Sequence, residues 1–174
     1  MFSTIILGAG KSTRMKANKS KLLFDIAGKP IITHIIEAVR QAKCSEIICV
    51  VNRESKDLVK LLKEHKVNIA FQKKSNGTAG AAEAGSKIIS SKNRKVLILC
   101  GDAPFVTTQS IKSMIKKISN ADACVGTVEL DIPKGYGRII RQGNKISEIV
   151  EERDSSIEQR SIREVNTGVI SINN

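Results

Sequence analysis

The residues best placed to do chemistry begin at Leu7-Gly8-Ala9-Gly10-Lys11-Ser12-Thr13-Arg14, directly after the first apolar run, with a further cation at Lys21. Small residues let backbone N–H groups approach oxyanions closely, and cations in the same loop add charge of the right sign. The combination suits phosphate, yet it is neither of two familiar phosphate loops. Gly10-Lys11-Ser12 imitates the end of a Walker A motif, but Ile5 stands where that motif requires its first glycine. A dinucleotide fingerprint would need glycine at Thr13. The plain alternative is a tight strand-to-helix turn with solvated basic side chains.

Four further groups stand out. Leu97-Ile98-Leu99-Cys100-Gly101-Asp102-Ala103-Pro104 places a carboxylate just past a buried apolar strand, where it can bind a metal or simply cap a turn. Gln72 and Gly77-Thr78 follow another short run. A carboxamide offers a donor and an acceptor to a pyrimidine edge, although a polar loop ending in an N-cap at Thr78 looks the same. Gly135-Tyr136-Gly137-Arg138-Ile139 is a glycine-punctuated loop entering a strand. Glu151, in Ile149-Val150-Glu151-Glu152, and Asn166, in Val165-Asn166-Thr167-Gly168, can read hydroxyls by hydrogen bonds. A surface charge and a turn or bulge are the plain readings of that last pair.

Hydrophobic patterning supplies the elements that must hold these groups. Thr4–Leu7, Glu46–Val51, Val67–Phe71 and Lys95–Cys100 read as strands. Between them lie helical stripes: Ile32, Ile35, Ile36 and Val39; Leu58, Leu61 and Leu62; and Ile111, Met114, Ile115 and Ile118. Thr78–Ser90 is alanine-rich and closes with Ile88-Ile89, which predicts another buried helix. Alternating strands and helices imply a parallel, doubly wound α/β sheet that binds ligands at the carboxyl ends of its strands. Past Asp122 the pattern changes to short strands at Cys124–Val128, Arg138–Arg141 and Lys145–Val150, with a hairpin turn at Gln142-Gly143-Asn144. Ser161–Ile172 reads as a last strand.

Composition narrows the function classes. The chain has 174 residues, 41% hydrophobic and 26% charged, which is the size and balance of one globular domain. It has no run of 18 apolar residues and no basic leader before an apolar segment, so neither a membrane span nor a signal peptide is expected and the expected location is cytoplasmic. Net charge is +12, but the lysines are scattered, aromatics are 3% and Trp is absent. That is poor material for the stacking platforms of nucleic-acid binders, so no nucleic-acid partner is expected. Cys44, Cys49, Cys100 and Cys124 form no CxxC pair, and Cys49 and Cys100 are expected as buried free thiols. His34 and His65 lack metal-ligand spacing.

Taken in order, Leu7–Met15, Lys21, Ile26-Ala27-Gly28-Lys29-Pro30-Ile31 and the later blocks resemble the signature of the sugar-nucleotide pyrophosphorylases. Within that family the sequence is most similar to the uridyltransferase domain of bacterial N-acetylglucosamine-1-phosphate uridyltransferases, over essentially its whole length. The resemblance implies a Rossmann-like three-layer α/β/α nucleotidyltransferase fold with a mostly parallel mixed sheet. It implies transfer of UMP from UTP to N-acetylglucosamine 1-phosphate, releasing pyrophosphate, with Mg²⁺ as cofactor, as a step in making cell-envelope precursors. By motif match, Arg14 and Lys21 would be catalytic. Leu7, Gly8, Ala9, Gly10, Lys11, Gln72, Gly77 and Thr78 would bind the nucleotide. Gly137, Glu151 and Asn166 would bind the sugar phosphate, and Asp102 would bind the metal. Two positions depart from the pattern: Ser75 replaces a second Gln, and Asn76 replaces an aliphatic residue.

The same resemblance makes residues 1–174 a single nucleotidyltransferase domain, incomplete at its C-terminal end. The family's next segment supplies a second metal ligand, an Asn, which Asn173 and Asn174 do not match by position. No hexapeptide repeat of an acetyltransferase half is present. An incomplete sheet edge favours a homo-oligomer or a separately encoded C-terminal part. The alternatives carried forward are a nucleotidyltransferase for another nucleotide or acceptor, similar to a molybdopterin guanylyltransferase, and a non-catalytic nucleotide-binding remnant.

Overall fold

A computed structural model describes residues 1–10, 19–72, 77–90 and 95–173. The chain divides into two compact units, Met1–Cys124 with Ile170–Asn174, and Val125–Val169.

The first unit is built on strands β1 (Phe2–Leu7), β4 (Glu46–Val51), β5 (Asn68–Phe71) and β6 (Lys95–Cys100). A two-strand ribbon, β2 (Asp25–Ile26) and β3 (Lys29–Pro30), stands apart as its own small sheet. The main strands lie in the order β5-β4-β1-β6 and all pair in parallel. The last strand, β10 (Glu164–Asn173), adds its C-terminal part antiparallel to β6, with Ile170 opposite Ile98 and Ile172 opposite Val96. The sheet is thus mostly parallel but mixed, as expected.

Helices α1 (Ile31–Gln41), α2 (Lys56–Glu64), α3 (Gly77–Ser86) and α4 (Thr108–Lys117) link these strands. Ile5, Ile48, Val50, Val96 and Ile98 form one core with Ala81 of α3. Their sequence neighbours Thr4, Ile6, Cys49, Val51, Leu97 and Leu99 are equally buried. Successive strand residues point to opposite faces, so both faces of the sheet are covered. The buried stripe of α1 is Ile32, Ile35, Ile36 and Val39, as its spacing predicts, and Thr108 of α4 bonds the Ala38 carbonyl at 3.3 Å.

Two expectations need correction. Helix α3 stops at Ser86 rather than Ser90, and Ile88 is 43% exposed. Alanine and glycine, not isoleucine, bury this helix: a Cβ on Gly85 would stand 2.7 Å from Ile5 Cγ2 and 3.1 Å from Val50 Cγ2. Small residues let the helix approach the strands closely. Cys49 is buried as expected, but Cys100 is only half-buried.

The second unit holds most of β7 (Ala123–Glu129), the hairpin β8 (Arg138–Gln142) and β9 (Lys145–Val150), a short helix α5 (Ile157–Arg160), and the N-terminal part of β10. The β8–β9 turn has Gly143 at φ 60°, the left-handed conformation glycine tolerates. Arg141 and Glu164 form a two-pronged pair, with both N···O distances 2.6 Å. Those bonds hold the Glu164 carboxyl well down, at about 2 against an ordinary 4.5.

Two measurements follow from this packing. Gly85→Ala will lower stability in urea unfolding, because overpacking costs about 1–3 kcal/mol and outweighs the ~1 kcal/mol helix gain. An unchanged or higher midpoint would contradict the close approach. Glu164 has its carboxyl lowered on folding, so its contribution is complete above the unfolded value and fades as pH falls toward about 2. The pair is partly exposed, and solvent screening keeps its contribution small. The stability deficit of Glu164→Gln measured at neutral pH will therefore shrink as unfolding is followed into acid.

Candidate active site

The carboxyl edge of the first sheet is held together by one apolar side chain. Leu22 lies in a 3-10 turn, Lys21–Leu23, whose Ser20 hydroxyl accepts from the Leu22 N–H at 3.4 Å. Its side chain is 1% exposed. A Cβ on Gly8 would stand 3.0 Å from Leu22 Cδ1, and one on Gly101 would stand 2.9 Å from it. Leu22 therefore sits against both glycines that end β1 and β6. Backbone bonds close the same corner, with Gly8 N–H donating to Val50 O at 2.8 Å and Gly101 N–H donating to Leu7 O at 3.0 Å.

The residues next to this anchor meet. Lys21 precedes Leu22, Asp102 follows Gly101, and the Lys21 ammonium donates to the Asp102 carboxylate. The side chains are 34% and 45% exposed, so the pair lies at the surface of the edge. Sequence separation hides the contact: the two residues are 81 positions apart.

The glycine-rich segment divides by role. Leu7 and Gly8 are engaged in backbone bonds, so Gly8 serves close packing and its N–H is committed to Val50. Ala9 is buried, and Gly10 is exposed with nothing within 4 Å of a Cβ position. Lys11 and Arg14 lie outside the described residues, as do Ser75 and Asn76. Gln72 donates its side-chain amide to the Gly77 carbonyl at 3.1 Å, joining the end of β5 to the start of α3. Gly77 has φ 83°, and Thr78 falls within α3 rather than capping it.

In the second unit, strand register brings the expected sugar residues side by side. Arg138 is opposite Val150 on β9 and Val165 on β10. Gly137, Glu151 and Asn166 are the next residues along each strand. The Asn166 N–H donates to Gly137 O at 2.9 Å, and a Cβ on Gly137 would stand 3.5 Å from Glu151 Oε1. The Asn166 side chain accepts from Gly168 N–H at 2.9 Å, a local turn at φ 75°. A Cβ on Gly137 would also stand 3.3 Å from Ile149 Cγ2, so the absence of a side chain here lets β9 pack closely against the loop.

Electrostatics separates the groups further. Burial pushes the Cys100 thiol up, the Asp102 carboxylate adds to that, and Lys21 opposes it. Asp102 offers one exposed carboxylate, and no group of three or more His, Cys, Asp or Glu able to hold a metal occurs among the described residues. Magnesium keeps several waters and is commonly bound by one or two carboxylates plus substrate phosphates. The donor set fits an ion shared with a ligand's phosphates, not one caged by protein.

Residues 4–138 match the MobA-like NTP transferase domain. The chain belongs to this family. Bifunctional protein GlmU of Staphylococcus epidermidis is 36% identical over 173 residues, which is 98% of this chain and 38% of GlmU. GlmU of Pseudoalteromonas atlantica is 38% identical over 172 residues, which is 99% of this chain and 38% of GlmU. The chain thus spans well under half the length of these relatives. Among solved structures, a protein described as a glucose-1-phosphate thymidylyltransferase from Bacillus anthracis, in complex with a sucrose, superposes with TM-score 0.82 at 22% identity, covering 99% of this chain and 72% of that one. HddC of Yersinia pseudotuberculosis complexed with GMP-PN gives TM-score 0.78 at 22% identity, covering 99% and 77%. These likenesses establish a nucleotidyltransferase-type fold. No helix among the described residues is long and apolar enough to cross a membrane.

For a MobA-like domain, the residue that sequence reasoning missed is Leu22. Its only signal was an apolar Leu22-Leu23-Phe24 run after the basic loop that no periodicity claimed. Gly101→Ala would bring a methyl to 2.8 Å from the Leu7 carbonyl and 2.9 Å from Leu22. It will lower stability in urea unfolding by about 1–3 kcal/mol. Wild-type stability would show that this corner does not depend on the contact.

Proposed function

We propose that this chain is a sugar-1-phosphate nucleotidyltransferase that moves UMP from UTP to N-acetylglucosamine 1-phosphate. The observation that carries this reading is the Lys21–Asp102 pair at the carboxyl edge of the sheet, where the chain after β1 continues into the exposed Gly10. Identity to GlmU over nearly the whole chain supports the sugar-nucleotide class. The grouping of Gly137, Glu151 and Asn166 supports a hydroxyl-bearing acceptor.

In this reading an oxygen of the acceptor phosphate forms a bond to the α-phosphorus of UTP as the bond to the β-phosphate bridging oxygen breaks, and pyrophosphate leaves. No side chain needs to form a covalent intermediate. The chain's work is positioning and charge neutralisation. Lys21 neutralises charge at the α-phosphate, and Lys11 and Arg14 hold the triphosphate. Gln72, Gly77 and Thr78 hold the base. Asp102 would hold Mg²⁺, which would supply positive charge to offset that of the substrate phosphates. Glu151, Asn166 and the Gly137 backbone hold the sugar. The proposed setting is the cytoplasm, with both units forming one domain of this kind.

The test is pyrophosphate release by the purified chain against a panel of UTP, GTP and CTP with several phosphorylated acceptors. Turnover with UTP and N-acetylglucosamine 1-phosphate is expected. Turnover only with GTP and a non-sugar acceptor would replace this reading with the guanylyltransferase one, and triphosphate binding without product would replace it with a binding module. Lys21→Ala is expected to lose about 10²–10³-fold in turnover, with nucleotide affinity changed only a few-fold. Equal turnover would remove Lys21 from the α-phosphate.

A further inference from the structure

Arg138 is a charged side chain buried in the second unit, only 3% exposed, and no role in binding or chemistry has been assigned to it. Its guanidinium ties together three separate pieces of chain. It donates to the Tyr136 carbonyl, to Glu152 Oε2 at 3.3 Å, and from two nitrogens to the Arg160 carbonyl, each at 3.4 Å. Glu152 Oε2 in turn accepts from the Gly135 N–H. That amide is the main reason the Glu152 carboxyl titrates below its ordinary range, with Arg138 adding to the effect.

A buried guanidinium stays charged, and removing such a charge from water is costly unless its donors are satisfied. Here the satisfying acceptors are the Tyr136 and Arg160 carbonyls and Glu152, and through Glu152 the clasp also reaches the residue next to Tyr136 in the same turn. Tyr136 is held by its carbonyl and Gly135 by its N–H, through Glu152. Gly135 has φ 88°, a conformation most residues resist, so this turn has a defined shape to be held in.

Strand geometry says what that shape serves. Side chains alternate across a strand, so Arg138 points to the face opposite Gly137. Arg138 is therefore screened from any ligand that Gly137, Glu151 and Asn166 touch, and can affect it only through backbone. Its own register partners, Val150 and Val165, are the residues immediately before Glu151 and Asn166.

We infer that Arg138, through its clasp on Glu152 and the Tyr136 carbonyl, is a positioning residue that holds the Gly135–Gly137 loop in the shape that receives the acceptor phosphate sugar. The inference rests on the proposed transferase reading for its ligand, but not for the clasp itself. Arg138→Met keeps length and removes the fork. Arg138→Lys keeps charge but not the planar set of donors, so it will not restore the wild-type loop. Glu152→Gln removes only the carboxylate charge and serves where Arg138 variants fold poorly.

Two readouts are taken on the full chain. Hydrogen exchange of the ligand-free protein will show faster exchange across residues 133–137 in Arg138→Met and Arg138→Lys, with β6 and β1 unchanged. Steady-state kinetics will show the acceptor KM raised about ten- to hundredfold, with the UTP KM within twofold; Glu152→Gln will show a smaller shift of the same kind. Wild-type exchange across 133–137 overturns the clasp. Faster exchange with an unchanged acceptor KM, or losses spread equally over both substrates, overturns the positioning role and leaves Arg138 as packing alone. Should the wild-type chain turn over no sugar phosphate, the transferase reading fails, the assigned acceptor role falls with it, and hydrogen exchange alone decides the clasp.

Discussion

The contact on which the first unit's edge depends is apolar. Leu22 fills the space left by two missing Cβ atoms, at Gly8 and Gly101. Each glycine terminates a parallel strand and takes part in a backbone bond to the neighbouring strand. Because the core is close-packed, that one side chain sets the positions of the residues beside it. Lys21 and Asp102 are those residues. A cation and a carboxylate meet at the surface because a leucine between them is buried.

The second unit reaches a similar end by different means. A buried charge does the work, with Arg138 drawing the Tyr136 carbonyl, Glu152 and the Arg160 carbonyl onto one guanidinium. Buried ion pairs are weak sources of stability but demand specific geometry from every partner. Strand register then carries that order to Gly137, Glu151 and Asn166, which face away from the arginine.

Much of this was legible in the residues, for identifiable reasons. The parallel strands are short β-branched runs between strongly periodic helices, and Glu46–Val51 and Lys95–Cys100 appear with the expected limits. Burial in α1 follows its isoleucine stripe. Reading burial from bulk was right only in part: Ile89 packs against the core, but beyond the end of α3, Ile88 is exposed, and within the helix Ala81 and Gly85 are the buried residues. Short elements were also missed. The β2–β3 ribbon turns at Ala27 and Gly28, both at positive φ. Helix α5 starts with a capping box at Ser156 and Gln159, a pattern visible in the sequence but too short to show any period. The pairing of Lys21 with Asp102 was expected only as shared residence at one edge, since patterning carries no information on contacts 81 positions apart.

The most direct test of the central claim, that this edge grips a nucleoside triphosphate, is an NMR titration of isotopically labelled chain with UTP and Mg²⁺. The account predicts that the largest saturable shifts fall on the amides of Ala9, Gly10 and Gly101 and on the side chains of Lys21 and Asp102. Saturable shifts confined to other surfaces, with these five residues unmoved, would contradict it.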